Sequence, residues 1–385
     1  MISENVMFAA AMAGVYFHIP FCKQACHYCD FHFSTNLAVK DQMLDMMVRE
    51  LDIQREYLKE DVETIYFGGG TPSLLSPQEI DRLLDAVDNR FRINREAEIT
   101  LETNPDDTSF DKLNALRKVG VNRLSIGIQS FDDSVLRFMN RAHSSESAHQ
   151  AIKDARNAGF DNISVDLMYA IPGHSELGWR QQVDEVISYR PEHVSAYSLT
   201  IEERTAFGNW LAKGKLSPVS DDVAVDQINV LLDRLGVAGY ERYEVSNFAR
   251  PGFYSRHNTS YWKGVPYLGI GPGAHSYDRT SRQYNIRNNH IYIRELAQGN
   301  IPATLEVLTQ EEKINDYILT TLRTIWGMDL ERINRDFGYD LLSHKQSYIR
   351  TLVDNKLATM NQSYLVLTPA GLALADKISA DFFVA

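Results

Sequence analysis

Val15-Tyr16-Phe17-His18-Ile19-Pro20-Phe21-Cys22-Lys23-Gln24-Ala25-Cys26-His27-Tyr28-Cys29 runs from a short strand-like segment, Val15–Phe17, into a loop that holds all three cysteines of the 385-residue chain. A disulfide framework would use an even number of cysteines at wider spacing. In a reducing compartment such a group more often binds metal. Thiolates are the soft ligands that iron–sulfur clusters require. Three of them on a cubane leave one iron with an exchangeable position, as is needed when a small molecule must chelate the cluster. Zinc is the alternative, with His18, His27 or His32 as the fourth ligand. The spacing alone leaves both open.

Outward from this loop, strand and helix patterns alternate. Further strand-like runs are Thr64–Phe67, Glu98–Glu102, Arg123–Gly127, Ile163–Leu167 and Val194–Leu199. Leu44, Met47, Val48 and Leu51 share one helical face, as do Ile80, Leu83, Leu84 and Val87. Ser76-Pro77-Gln78-Glu79 supplies a capping box with proline at the first helical position. Six βα units predict an α/β fold with a parallel sheet, and six is short of a closed eight-fold barrel, so the expectation is a partial (β/α)6 barrel over residues 1–235. Residues 236–300 are rich in Tyr, Gly and Asn with little periodicity and read as a connecting segment. In 301–385 helical patterns precede a hairpin across Leu357–Leu367, the pattern of a small winged-helix-like domain.

Hydrophobic residues make up 44% and charged residues 23%, the balance of a globular protein. A net charge of −12 argues against a nucleic-acid partner and against electrostatic attachment to anionic lipid. No apolar run reaches the roughly 18 residues of a membrane span. The apolar Phe8–Val15 stretch lacks a preceding Lys or Arg and reads as a lead into the first strand rather than a signal peptide. The expected location is the cytoplasm.

Tyr16-Phe17-His18-Ile19-Pro20-Phe21-Cys22 with Cys26-His27-Tyr28-Cys29 resembles the radical S-adenosylmethionine (SAM) superfamily, in the branch that contains the oxygen-independent coproporphyrinogen III oxidases and the HemW-type heme chaperones. The resemblance runs along nearly the whole chain. It implies a 4Fe-4S cluster on Cys22, Cys26 and Cys29, with SAM on the open iron. Gly68-Gly69-Gly70-Thr71-Pro72 follows the second strand; the absence of a following Lys-Ser/Thr excludes a Walker loop. The resemblance makes it the segment for the amino and carboxylate ends of SAM.

Polar residues recur where the strands end, the edge at which parallel βα folds collect their chemistry. Singly, each reads as a satisfied structural group; together they read as the lining of one mouth. The resemblance implies SAM contacts from Tyr16, Tyr28, Gly69, Gly70, Thr71, Glu102, Gln129, Arg141, Asp166 and Thr200, and from Ala274 and His275 in the segment Gly269–His275. It assigns no catalytic residue.

Residues 240–292 hold eight of the 19 tyrosines and the run His257-Asn258-Thr259-Ser260-Tyr261-Trp262. A histidine among aromatic rings suits a flat iron macrocycle, and equally a tight loop whose His and Asn satisfy backbone groups. The run resembles the HNxxYW segment of HemW-type proteins, which implies heme binding with His257 as the heme-linked residue. Two functions follow from the resemblance. One is a heme chaperone that works with an electron donor and passes heme to a respiratory acceptor at the membrane. The other is coproporphyrinogen III oxidation, in which a 5′-deoxyadenosyl radical takes hydrogen from two propionate side chains. The chaperone is favoured because the oxidases carry a further cysteine where this chain has Phe31, and a longer segment before the cluster loop. A plain electron-transfer protein is disfavoured, since those usually close a cluster with four ligands.

Overall fold

Along each parallel strand, apolar and polar residues alternate. Val15, Phe17 and Ile19, Ile65 and Phe67, Leu124, Ile126 and Ile128, and Ile163, Val165 and Leu167 point to one face and form the main apolar core with the helices. Tyr16 and His18, Thr64 and Tyr66, Glu98, Thr100 and Glu102, Arg123 and Ser125, Ser164 and Asp166, and His193 and Ser195 take the other parity. A parallel sheet covered by helices on both faces reads as a nearly continuous apolar run. Here one face is polar, and it becomes the concave interior of a partial barrel.

The computed structural model describes residues 12–384. Its first six strands are β1 (Met12–Ile19), β2 (Asp61–Gly69), β3 (Ile93–Thr103), β4 (Arg123–Gln129), β5 (Ile163–Tyr169) and β6 (His193–Ser198), paired in sequence order and parallel throughout. The first two helices, Lys40–Ile53 and Pro77–Asp88, carry the expected apolar faces. The capping box is present, with the Glu79 N–H donating to Ser76 Oγ at 3.2 Å and the Ser76 N–H to Glu79 Oε2 at 2.7 Å. The part of the apolar lead before Met12 lies outside the described residues.

The tyrosine-rich stretch extends both edges of this sheet. β7 (Glu241–Glu244) and β8 (Asn247–Ala249) add antiparallel strands beside β6. β9 (Tyr267–Ile270) pairs parallel with β1, and β10 (His275–Tyr277), β11 (Ser281–Asn285) and β12 (Ala303–Val307) follow antiparallel. The parallel part therefore has seven strands rather than the expected six. These additions are three to five residues long, too short for a period to register in the sequence. The result is one open twelve-stranded sheet.

After β12, the helices from Gln310 to Phe382 surround a three-stranded sheet of β13 (Met328–Asp329), β14 (Ala358–Asn361) and β15 (Tyr364–Leu367), with a second apolar core of their own. β14 and β15 are the predicted hairpin. Arg323 ties this part to the barrel through Glu244, Nε to Oε1 at 2.6 Å. No helix among the described residues is long and apolar enough to cross a membrane.

Candidate functional site

The cysteine loop leaves the carboxyl end of β1 and is stapled on both flanks. The Cys22 N–H donates to Ser34 O at 3.0 Å, the His27 N–H to Met139 O at 3.0 Å and the Phe207 N–H to His27 O at 2.9 Å. Gln24 and Asn140 clasp it, Nε2 to Oδ1 at 2.7 Å. All three thiols are partly exposed and unpaired. Thr71 Oγ1 donates to Cys22 Sγ at 3.4 Å and Arg141 Nη1 to Cys26 Sγ at 3.5 Å. Burial pushes the Cys22 thiol up to about 11 and the Cys29 thiol to about 12. Coordinated metal reverses that preference, because it binds the thiolate.

Each histidine that could complete a zinc site has a ring nitrogen bonded to a protein oxygen, while His27 Nε2 and His32 Nδ1 have no such bond among the described residues. His27 Nδ1 meets Phe138 O, His32 Nε2 meets Asn289 Oδ1, and His18 Nε2 meets His32 O, each at 2.8 Å. Among the described residues no three His, Cys, Asp or Glu side chains gather closely enough for a single ion. A cubane spreads its thiolates over three irons, so three thiols that do not converge on one point fit the cluster better than a single zinc ion.

The glycines after β2 serve the chain's own packing. A Cβ at Gly70 would stand 2.6 Å from Phe21 O, and one at Gly69, where φ is +105°, 2.6 Å from His18 Nδ1. The Gly70 N–H donates to Ile19 O and the Thr71 N–H to Phe21 O. The close approach that these glycines allow also seats the cysteine loop on β2.

Glu102 accepts the Tyr66 hydroxyl at 2.8 Å and the Gly69 N–H at 3.2 Å. Burial raises its carboxyl to about 7, opposed by the Tyr66 bond and reinforced by the nearby Asp166 charge. Asp166, whose carboxyl burial also pushes up, accepts Ser125 Oγ at 2.9 Å and Ser164 Oγ at 3.2 Å. Tyr16 stacks on Tyr66 with ring centres 6.0 Å apart. Arg141 donates through Nη2 to Gly127 O and Asn104 Oδ1, both at 2.7 Å, and through Nη1 to the Tyr28 hydroxyl at 3.4 Å; its Nε is buried without a partner. Gln129 sits at a register shift between β4 and β5 with φ of 62°, a bulge of the kind that re-aims side chains beside active sites.

The structure therefore brings Tyr16, Gly69, Glu102 and Asp166 into one polar group, and Thr71, Tyr28 and Arg141 against the cysteine loop. His275 joins Tyr16, His18, Phe31 and Arg287 around a cavity of about 210 Å³. Ala274 is buried and accepts the Asn285 N–H at 2.9 Å. Thr200 is exposed beyond β6, with no hydrogen bond among the described residues. Three participants were missed: Tyr66, Asn104 and Arg123, the last a guanidinium only 1% exposed in the barrel interior. Parity was the available signal for two of them, since Tyr66 lies two residues before Gly68 and Arg123 two before Ser125.

His257 enters the barrel from the opposite, amino end of the strands. Glu98 caps its helix, Arg256–Trp262, accepting the Arg256 and His257 N–H groups at 3.1 and 3.0 Å. The imidazole is 1% exposed, lies 4.9 Å from the Tyr66 ring, and is held far below its usual range, at about 3, by burial and the Arg123 charge. Its Nδ1 is 2.7 Å from Thr64 Oγ1 and its Nε2 2.7 Å from the Tyr261 hydroxyl. A direct bond from His257 to heme iron has no open ring nitrogen in this arrangement.

Residues 16–184 match the family model described as the radical SAM superfamily. The chain is 34% identical to heme chaperone HemW of Bacillus subtilis, covering 96% of this chain and 99% of that one. It is 33% identical to heme chaperone HemW of Lactococcus lactis over 96% and 97%. In structure it is similar to coproporphyrinogen III oxidase (HemN) from Escherichia coli, with a TM-score of 0.84 over 100% of this chain and 94% of that one at 22% identity, a likeness of fold. With the cysteine loop on β1, the polar barrel interior and this near full-length similarity, the chain belongs to the HemW family of the radical SAM superfamily.

Proposed function

We propose that the protein is a heme chaperone: it binds heme, carries a 4Fe-4S cluster on Cys22, Cys26 and Cys29 with SAM at the open iron, and passes heme to an acceptor protein. The superfamily implies the cluster and SAM. The observation that carries the chaperone reading is the similarity along 96% of the chain to proteins named heme chaperone. The cluster, when bound, supplies an electron to SAM. The chain's residues do the rest: Glu102 and Asp166 receive hydroxyl or ammonium donors, Arg141 holds the loop and the carbonyl of Gly127, and Tyr16 and Tyr66 wall the interior. Residues 1–235 would carry cluster and SAM, 236–300 the HNxxYW element, and 301–385 the C-terminal unit. A cytoplasmic protein receiving electrons from a donor and meeting a respiratory acceptor at the membrane completes this reading.

Coproporphyrinogen III oxidation is the second reading, supported by the fold likeness alone. Phe31, where the oxidases have a cysteine, is 70% exposed beside the cluster loop. Anaerobic reconstitution followed by parallel assays separates the two. Heme binding without conversion of coproporphyrinogen III to protoporphyrinogen IX is expected, and multiple-turnover decarboxylation with SAM and a reductant would replace the chaperone reading with the oxidase.

A further inference from the structure

A cavity of about 630 Å³ opens between β9–β11 and two C-terminal helices, Gln310–Leu322 and Leu330–Phe337. Its size falls within the roughly 300–1,000 Å³ of pockets that enclose a drug-sized ligand. The smaller cavity beside the cysteine loop, about 210 Å³, is below that range. Tyr261 and Tyr267 line both, packed edge to face with centres 4.5 Å apart. Tyr277 and Tyr317 add further ring surface to the larger one.

The charge of this lining runs against that of the protein. In a chain of net charge −12, Lys263, Arg279, Arg282, Lys313 and Arg332 face two carboxylates, Asp316 and Asp336. Arg282 pairs with Asp316, Arg332 with Asp336 at 3.1 Å, and Arg279 with Glu60 at 2.7 Å. Lys263 and Lys313 have no carboxylate partner among the described residues. Lys263 lies 5.0 Å from the centre of the Trp326 ring, and burial lowers its pKa. A lysine with no carboxylate partner, set beside aromatic faces at the cavity rim, is arranged for an anionic, flat ligand.

We propose that this cavity is the tetrapyrrole seat, with the macrocycle on Tyr261, Tyr267 and Tyr317 and its two propionates on Lys263 and Lys313. The choice of ligand rests on the heme reading above; the choice of place rests on the cavity. His257 then acts as a positioning residue, holding the Tyr261 ring at the wall through the 2.7 Å bond to its hydroxyl.

Titration of the full-length, anaerobically reconstituted protein with hemin and with protoporphyrin IX dimethyl ester tests this. Lys263→Ala and Lys313→Ala are each expected to weaken hemin about five- to tenfold and to leave the diester within twofold. Leu319→Trp, which fills the cavity from an exposed position, is expected to weaken both ligands. Unchanged cluster content and SAM affinity in the variants show that they fold. If wild type binds hemin and all three variants match it, the seat is elsewhere and the heme reading stands. If wild type binds neither ligand, the heme reading falls and the seat with it.

Discussion

The Tyr261 hydroxyl stands 2.7 Å from Nε2 of His257, and Thr64 Oγ1 2.7 Å from Nδ1, so one imidazole bridges the barrel interior and the wall of the tyrosine-lined cavity. A neutral imidazole donates from one nitrogen and accepts at the other. Burial keeps this one neutral, and both roles are taken.

His257→Ala is therefore expected to act on stability first. It leaves Thr64 and Tyr261 without their partner and opens a hole behind Tyr66, a loss of about 2–4 kcal/mol in urea unfolding. Heme that still binds should keep the wild-type absorption spectrum, because the ring is not on the iron. A shifted spectrum at full occupancy, with the cluster intact, would show direct ligation and refute the positioning role.

Cys22→Ser, Cys26→Ser and Cys29→Ser should each abolish the 4Fe-4S cluster, measured as iron and acid-labile sulfide after anaerobic reconstitution. The chain has no fourth cysteine to substitute, and a cubane iron takes thiolate in place of a lost ligand rather than the serine hydroxyl. Stoichiometric zinc in the anaerobically purified wild type would contradict the cluster assignment.

Glu102→Ala and Asp166→Ala should weaken SAM binding while sparing the cluster. Each removes a half-buried carboxylate facing the barrel interior and breaks no bond to the cysteine loop. Losing one charge-assisted hydrogen bond corresponds to roughly a tenfold to hundredfold change in affinity. Equal SAM affinity in both variants and wild type would place the SAM contacts elsewhere.

The barrel was legible because its strands alternate. Val15, Phe17 and Ile19 against Tyr16 and His18 signal both a strand and which side of it is polar, and the cysteine loop fixes the carboxyl edge. The fate of His257 was not legible. HNxxYW records residue types, whereas whether the ring faces a ligand depends on Thr64 and Glu98, some 160 to 190 positions earlier in the chain. The glycines at the end of β2 carry a packing role that was hidden for a related reason. A glycine signals close approach, but only the fold shows that what approaches is the carbonyl of Phe21. The edge strands β7–β11 escaped because three to five residues hold too few alternations to separate from a loop.

Glu50 gives a pH test of how the glycine-rich segment near β9 is held. It projects from the helix Lys40–Ile53 into the core and is wholly buried. Its Oε2 accepts the Gly271 N–H at 2.9 Å and the Tyr292 hydroxyl, while Oε1 accepts Asn285 Nδ2 at 2.6 Å and Gln54 Nε2 at 3.1 Å. Burial outweighs these four donors and raises the carboxyl from 4.5 to about 7. A carboxyl with a raised folded-state pKa binds its proton more tightly folded than unfolded. Its contribution is therefore complete below about pH 4.5 and is lost as the pH rises to about 7. Glu50→Gln has no such titration, and its amide would face the Gly271 N–H or the Asn285 amide with a donor. The variant should be less stable than wild type, with a larger gap at pH 5 than at pH 7.5, the difference being on the order of 2 kcal/mol. His18 and His257, held near 4 and 3 by burial, lose stability as the pH falls, the opposite sign. Both proteins share them, so they cancel in the comparison. Urea unfolding of the two proteins at both pH values decides the matter: an equal gap would mean that Glu50 does not change its proton binding on folding.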